Sequence, residues 1–403
     1  MMMFGYKNLV SLLGLAGIMG LSGLAQGQTV NPVRLGWIGP LTGASADFGL
    51  PMLNGAQLAI DEINAAGGYL GRPLELSVKD DAASPDVGFQ RSQELIKEGV
   101  IATLGFCNTG VAMKALEVFQ IAKSPLIVPC ATGTPITSKY PAPESYIFRT
   151  SARDAIQAPF VVDDIVSRGW TKVAIFADTS AYGEAGLQDV VKALKAKKLK
   201  PVHVARFALG VKDLTAELKA AQAAGANVIF SYTVGPENAV IALGRQALGW
   251  KVTQVGAWPL SFPFFIDGAR EAADGSLMAQ TFIADPSNER RRAFLSAYAG
   301  KYKTSKITVP MAAAQAYDSV YLLTYAILNI RSGDLAGPSV KAGLETLPRT
   351  YYGVTATHER PFSKDDKDAV SSNMLIMGMV KNGAVTFAYP EDRTRNLFVQ
   401  RKK

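Results

Sequence analysis

Apolar and polar residues alternate along the chain in two recurring patterns: short apolar runs, and longer segments in which apolar residues return every three or four positions. The run VRLGWIGPL, which begins at Val33, predicts a buried strand. The segment MLNGAQLAIDEINAAGG predicts a helix that ends at Gly67-Gly68, where a C-cap glycine is expected. A second helix is predicted for SPDVGFQRSQELIKEG, with Ser84 as N-cap and Pro85 in the first turn. Strands that are each followed by a helix form a parallel sheet covered on both faces, so the pattern predicts an α/β fold.

The same alternation restarts after Arg149 and runs from KVAIFAD to VTQVGAW, which predicts a second series of similar size. Past Met278 the chain has long helical patterns without strands between them, and these are expected to complete the first two units. The segment NMLIMGMVKNGAVTFAY predicts a hairpin with Asn382-Gly383 at its turn. A length of 403 residues is too great for one ordinary core, so two lobes are predicted.

The first thirty residues carry a separate pattern. Lys7 precedes an apolar segment over residues 9–24, and small residues follow it. This combination predicts a secretory signal peptide over residues 1–27, cleaved near Ala25 or Gly27. No later stretch reaches the ~18 apolar residues that a membrane-spanning helix needs. The sequence therefore predicts an exported protein that is not itself embedded in the membrane.

Composition argues against several kinds of chemistry. The net charge of +8 is spread along the chain apart from KAKKLK at 195–200 and the tail 393–403, which are better explained as a solvated helix face and a chain end than as a nucleic-acid site. Two cysteines and two histidines are too few for a Cys/His zinc site or an iron–sulfur cluster. Neither a nucleophile elbow nor a P-loop occurs in the exported part of the chain. No metal, no cofactor and no enzymatic activity are predicted.

Three glycine-containing loops follow predicted strands of the first unit. They are GPLTGASADFG at 39–49, GFCNTG at 105–110 and CATGT at 130–134. In parallel sheets ligands collect at the carboxyl ends of the strands. Asn108, Thr109 and Thr132 can hydrogen-bond a carboxylate without bringing a charge, and the glycines let backbone N–H groups approach it. Each loop alone could be an ordinary turn, but the three together predict a binding site for a carboxylate.

The second unit offers aromatic and aliphatic residues in the corresponding loops. Tyr182, Val234 and Trp258 each follow a predicted strand. Such side chains can line an apolar pocket. Cys107 and Cys130 also lie just past predicted strands, and either a disulfide or two separate buried thiols is compatible with that placement.

The chain resembles the leucine/isoleucine/valine-binding family of exported solute-binding proteins, which serve ABC importers. The resemblance covers Val33 to about Tyr389 and rests on motifs that occur in order: IGPLTG…FG…NGAQLAIDEINAAGG, GRPLELSVKDDAASP, GFCNTG, PLIVPCATGTPIT, YIFRTSARDAIQA, KVAIFADTSAYGEAG, AYDSVYLL and GVTATHERPFSKDDKDA. It implies two Rossmann-like parallel-sheet lobes joined by a three-strand hinge, which close on a small ligand. Lobe 1 is expected at 28–150 plus 281–354, and lobe 2 at 151–280 plus 355–403. The family also implies a periplasmic monomer whose partner is a membrane permease.

The resemblance assigns roles residue by residue. Phe48 stands where the family has an aromatic side chain near the ligand, and Tyr182 and Val234 stand at contact positions of the second lobe. The remaining implied contacts would bind the carboxylate: a side chain at Asn108 or Thr109, a backbone group at Ala131 and a hydroxyl at Thr132. The family's usual disulfide partner of Cys107 falls near Ala83, so Cys130 is the only possible substitute.

One position departs from the family. Its amino-acid binders have an acidic residue where this chain has Trp258, and that acid pairs with the ligand's ammonium. An unpaired buried ammonium would cost several kcal/mol. Either another acid serves, with Glu237, Asp47 and Asp178 as the nearby candidates, or the ligand is an aromatic or aliphatic carboxylic acid without an ammonium. A soluble module that senses a ligand for a receptor partner remains the alternative function.

Overall fold

The computed structural model describes residues 31–43, 45–304, 306–395 and 402. The predicted signal peptide at 1–27 lies outside the described residues. Among the described residues, no helix is both long and apolar enough to cross a membrane.

The first sheet is built from the first five strands of the chain, all parallel, in the order β2-β1-β3-β4-β5. The strands are β1 (Val33–Gly39), β2 (Leu74–Asp80), β3 (Thr103–Gly105), β4 (Leu126–Val128) and β5 (Ile147–Arg149). The helices between them are α1 (Ala46–Ala65), α2 (Pro85–Lys97), α3 (Thr109–Ile121) and α4 (Pro135–Ser138). As predicted, α2 begins at Pro85, and the N-cap hydroxyl of Ser84 accepts a hydrogen bond from the backbone of Val87.

The second alternating series forms most of a second sheet. Its strands are β6 (Val173–Asp178), β7 (His203–Phe207), β8 (Val228–Tyr232), β9 (Thr253–Gly256) and β10 (Leu277–Gln280). Its helices are α5 (Asp154–Ser167), α6 (Ala181–Ala196), α7 (Thr215–Ala223), α8 (Glu237–Ala247) and α9 (Pro263–Ala269). A short 3-10 turn over Trp258–Ser261 precedes α9.

The rest of the chain serves both lobes. The elements α10 (Glu289–Tyr302), α11 (Pro310–Leu328), α12 (Gly337–Glu345), β11 (Tyr351–Tyr352) and β12 (Thr357–His358) come first, followed by β13 (Ile376–Lys381), β14 (Ala384–Phe387) and α13 (Pro390–Arg395). Helix α11 packs closely along α1: a Cβ at Gly55 would lie 2.0 Å from the carbonyl oxygen of Ala313, so this approach requires glycine. The hairpin β13–β14 extends the second sheet to the order β14-β13-β10-β9-β8-β6-β7. The predicted turn Asn382-Gly383 has positive φ at both residues, as a two-residue hairpin turn of type I′ requires.

Three crossings join the lobes: after Arg149, after Gln280, and between β12 and β13. The first and third crossings are tied together by a buried ion pair, because Nε of Arg149 lies 2.6 Å from Oδ1 of Asp368. The same guanidinium donates to the carbonyl oxygens of Thr132 and Gly133 at 3.0 and 2.8 Å. The predicted α/β fold of two parallel-sheet lobes is confirmed. The exact residue limits of the lobes stay a prediction.

Candidate ligand-binding site

A cavity of about 400 Å³ lies between the lobes. We call it the inner chamber. The sequence-predicted residues that line it are Phe48, Asn108, Thr109, Thr132, Tyr182, Val234 and Trp258. Phe262, Leu209 and Cys107 line it as well. Apart from Ala131, the predicted contact residues therefore come together at one place, although they lie on two lobes and are far apart in the sequence.

The lobe 1 side of the inner chamber is polar but uncharged. Asn108 is the N-cap of α3, and its Nδ2 donates to the hydroxyl of Ser45 at 3.0 Å. Thr109 begins α3 and is buried, and its hydroxyl has no hydrogen-bond partner among the described residues. The loop after β4 packs against Thr109 only because residue 133 is glycine: a Cβ there would lie 2.3 Å from the Thr109 methyl carbon. This packing holds Thr132 beside Thr109 in the chamber wall.

Three helix N-termini meet at the inner chamber. Pro85 of α2, Gly110 of α3 and Ala181 of α6 all lie in its wall. A Cβ at Gly110 would lie 3.7 Å from the Cβ of Ala181, so the first turn of α3 in one lobe lies close to the first turn of α6 in the other. The first turn of a helix has unpaired N–H groups and the positive end of the helix dipole. Together these ends favour an anionic ligand group.

Aromatic rings form the lobe 2 side. The indole of Trp258 lies edge-on to the ring of Phe262 at 4.7 Å between centroids, and Phe262 in turn lies 5.2 Å from Phe48 of lobe 1. Trp258 is only 4% exposed and lines the inner chamber, so its indole is not turned outward to solvent. Its backbone N–H donates to Oε1 of Gln157 at 3.2 Å, which fixes the turn that carries it.

Ala131 does not line the inner chamber. Its backbone N–H donates to the carbonyl of Phe106 at 2.8 Å, and its carbonyl accepts from the hydroxyl of Ser151 at 2.7 Å. The N–H of Ala131 is therefore not free to serve as the backbone group predicted to bind the carboxylate, because it already holds the loop onto the strand ends of lobe 1.

A sequence profile described as periplasmic binding protein matches residues 32–384. The chain belongs to the periplasmic binding protein family. Leu/Ile/Val-binding protein homolog 3 of Brucella melitensis is 30% identical over 256 residues, which are 63% of this chain and 67% of that protein. The predicted leucine/isoleucine/valine-binding family is thus confirmed.

Solved structures of low sequence identity show the same fold for this binding protein. The branched-chain amino acid transporter substrate-binding protein LivJ of Streptococcus pneumoniae, in complex with isoleucine, is 24% identical with a TM-score of 0.75 and covers 88% of this chain and 98% of its own. An ABC transporter solute-binding protein of R. palustris, in complex with benzoate, is 20% identical with a TM-score of 0.74 and covers 89% and 96%.

The acids proposed to replace the family's acidic residue do not face the inner chamber of this binding protein. Asp178 is buried and accepts hydrogen bonds from the backbone N–H groups of Ser180 and Val234 at 2.9 and 3.1 Å. Glu237 accepts from the backbone of Gly210 and from a neighbouring threonine. Asp47 is exposed. Asp178 and Glu237 fix strand-end loops of lobe 2, so none of the three is placed to pair with a ligand's ammonium.

A different acid lies beside the inner chamber. Asp154 begins α5 and is fully buried, and its Oδ2 has no hydrogen-bond partner among the described residues. Burial is the largest influence and raises the pKa of Asp154 to about 7, while the nearby hydroxyls of Thr132 and Tyr232 and the charge of Arg149 lower it. Our sequence reasoning missed this residue. The signal was present, because Asp154 comes shortly after β5 as the other contact loops follow their strands.

Two tyrosines complete this buried polar group. The rings of Tyr182 and Tyr232 lie 5.0 Å apart, and burial raises the pKa of both hydroxyls well above the usual value. Both therefore stay neutral and can donate hydrogen bonds. A Cβ at Gly186 would lie 1.9 Å from a ring carbon of Tyr232, so glycine at this position of α6 makes room for that ring.

The structure joins Cys107 and Cys130 by a disulfide. The bond connects the loops after β3 and β4, the two neighbouring strands whose loops also carry Thr109 and Thr132. Cys107 lines the inner chamber. The disulfide therefore ties together the two loops that present the chamber's hydroxyl groups.

Proposed function

We propose that the protein is the periplasmic solute-binding subunit of an ABC importer and that its ligand is a small apolar molecule with one carboxylate. The observation that carries this proposal is the inner chamber itself: every described side chain that lines it is uncharged, and residues from the first turns of three helices lie in its wall. Neutral hydroxyls and helix termini stabilise a carboxylate, and the rings of Phe48, Trp258 and Phe262 suit an aromatic or branched aliphatic body. The benzoate bound to the R. palustris relative is a ligand of this class.

Binding would act through closure. Thr109 and Phe48 belong to one lobe and Tyr182 and Trp258 to the other, so a ligand contacts all four only when the lobes are closed. A ligand that binds the closed form better shifts the population toward it. The closed form would then dock on a separate permease, and the protein itself would carry out no chemical reaction.

An amino acid is the second candidate ligand, and Asp154 is the observation that favours it. This buried carboxyl lies close to the hydroxyl of Thr132 and has an oxygen without a partner. It could accept a ligand's ammonium in place of the acid that Trp258 replaces. The isoleucine bound to LivJ represents this class.

Calorimetric titration of the purified protein separates the two classes. We expect benzoate and short aliphatic acids to bind at micromolar or tighter affinity, and leucine and valine to bind at least about tenfold more weakly, because the chamber lacks a charged partner. A Trp258→Glu variant should reverse this order by restoring an acid. Strong binding of leucine by the unmodified protein, without binding of aromatic acids, would refute the carboxylic-acid assignment.

Proton exchange at pH 6.5 gives a second, independent readout. A carboxylate bound near Asp154 would raise the pKa of Asp154 further, so binding takes up protons; an ammonium would lower it, so binding releases protons. Titrations in buffers with different ionisation enthalpies show how many protons are exchanged on binding and whether they are taken up or released. Asp154→Asn should remove most of the exchange in either case.

Transport and location are tested in cells. Deleting the gene should abolish uptake of the labelled ligand, and osmotic shock should release a protein whose N-terminus lies just after Ala25 or Gly27. Undiminished uptake, together with ligand-dependent binding of the protein to a receptor domain, would favour the sensing module instead.

A further inference from the structure

A second cavity lies between the lobes, beyond the Phe48–Phe262 ring pair. Its volume is about 450 Å³, larger than that of the inner chamber. Pro263, the neighbour of Phe262, lines it. Thr308 also lines it and donates a 3.0 Å hydrogen bond to the carbonyl of Asp47, the neighbour of Phe48. Residues next to both rings therefore reach this cavity, which we call the outer chamber.

Both lobes contribute to the outer chamber. Lobe 1 supplies α10 and the loop 306–310, and lobe 2 supplies α9 and the hairpin β13–β14. Most of the wall is apolar, with side chains such as Ile266, Phe282, Leu295 and Ile307. A volume of several hundred Å³ with mainly apolar walls is typical of sites for small organic ligands.

One charge faces the outer chamber. Lys306 is the only charged residue among the described residues of its wall. Its ammonium lies 4.0 Å from a carboxylate oxygen of Asp267 across the cleft, and the two side chains are 67% and 64% exposed. An exposed pair at this distance contributes little. The ammonium is therefore free to bind an acidic group at the edge of an apolar cavity.

We propose that the outer chamber is a second binding site, for an apolar monocarboxylic acid whose hydrocarbon part packs against Phe282 and Ile307 and whose carboxylate binds Lys306. The proposal goes beyond the function of the inner chamber and does not depend on which ligand that chamber takes. Because both lobes form its wall, an acid bound here stabilises the closed form. By linkage, it also strengthens ligand binding in the inner chamber, and the inner ligand strengthens its binding in turn.

The test is a calorimetric titration of the exported protein with octanoate. Ala299 of α10 lines the outer chamber and is half-buried, so Ala299→Trp fills the cavity. Ser296→Trp, at an exposed position of the same helix that does not line the chamber, is the matched control. Lys306→Gln removes the charge, and Lys303→Gln removes a nearby exposed charge outside the chamber.

We expect two octanoate molecules per chain in the unmodified protein and one in Ala299→Trp, with both controls unchanged. Lys306→Gln should weaken the outer site about threefold, as expected for an exposed charge contact. If the inner chamber does not take acids, the unmodified protein binds one octanoate and Ala299→Trp binds none, which still supports the outer site. The same stoichiometry in the unmodified protein and Ala299→Trp overturns the proposal, and unchanged affinity in Lys306→Gln overturns the role of the lysine.

Discussion

Replacing Asp154 with asparagine tests whether the carboxyl group beside Thr132 is uncharged in the folded protein. Asp154 is fully buried, and burial raises its pKa from 3.8 to about 7. Its protonated form is therefore the stable one in the fold up to about neutral pH. Asparagine keeps the shape of that neutral form and cannot ionise.

The expected magnitude follows from the pKa difference. The folded pKa exceeds the unfolded one by about three units, each unit corresponds to about 1.4 kcal/mol, and no screening by solvent applies to a fully buried group. The protonated group thus contributes up to about 4 kcal/mol to the free energy of unfolding below pH ~4, and this contribution is lost as the pH rises through about 7. Burial raises the pKa of Asp81 to about 7 as well, so only the difference between variant and unmodified protein isolates Asp154.

The assay is urea unfolding of the ligand-free protein at pH 5 and pH 8. We expect Asp154→Asn to be more stable than the unmodified protein by about 2 to 4 kcal/mol at pH 8 and by a smaller amount at pH 5. Asp163→Asn is the matched control, because Asp163 lies on the same helix with its side chain 57% exposed. If the free energies of unfolding of Asp154→Asn and of the unmodified protein differ by the same amount at pH 5 and pH 8, Asp154 does not have a raised pKa in the folded protein.

Three further predictions concern the site and the hinge. Replacing Cys107 and Cys130 by alanine should lower the free energy of unfolding by about 3 kcal/mol, since a loop with a sequence separation of 23 residues is no longer closed in the unfolded chain; unchanged urea unfolding would contradict this. Trp258→Ala should weaken binding of an aromatic acid at least about tenfold in calorimetry, and, because the indole is buried, it should also lower the free energy of unfolding by about 3 to 5 kcal/mol. Arg149→Met removes the fully buried partner of Asp368 and leaves it only the partly exposed Arg153 at 3.2 Å; this should cost up to about 3 to 5 kcal/mol in urea unfolding, which a second replacement, Asp368→Leu, should partly restore. Failure of that second replacement to restore stability would show that the backbone contacts of the guanidinium matter more than the ion pair.

The fold could be predicted from the sequence because its determinants are local. The helix beginning at Pro85 follows from an N-cap and a helical period, and the hairpin turn at Asn382-Gly383 follows from residues that tolerate positive φ. The polar side of the inner chamber was predictable for a related reason. The loops with Thr109 and Thr132 follow neighbouring parallel strands, whose carboxyl ends share one edge of the sheet.

The rest of the site depends on distances that the sequence does not contain. The contact of Phe48 with Phe262 arises only when two lobes close, and neither segment predicts the other. Ala131 follows β4 in the same loop as Thr132, so the sequence predicts a ligand contact for both. The N–H of Ala131, however, donates to the carbonyl of Phe106 within lobe 1. Asp154 begins α5, and Gln157 of the same helix hydrogen-bonds both to Asp154 and to the turn that carries Trp258. The sequence does not contain this proximity.

The poorly paired hydroxyls of the inner chamber explain how closure can depend on ligand. When the lobes are closed, the hydroxyl of Thr109 is buried without a hydrogen-bond partner among the described residues, and those of Thr132 and Tyr182 have only poorly placed partners in Asp154 and Tyr232. Each such group costs about 1 to 3 kcal/mol, so the closed form without ligand carries a penalty that the open, hydrated form does not. A ligand carboxylate accepts from these hydroxyls and removes the penalty. Moving a two-state equilibrium from 1:99 to 99:1 requires about 5.5 kcal/mol, and these hydroxyls supply part of it. The neutral donors that suit a carboxylate are therefore also the groups that oppose closure until a ligand is bound.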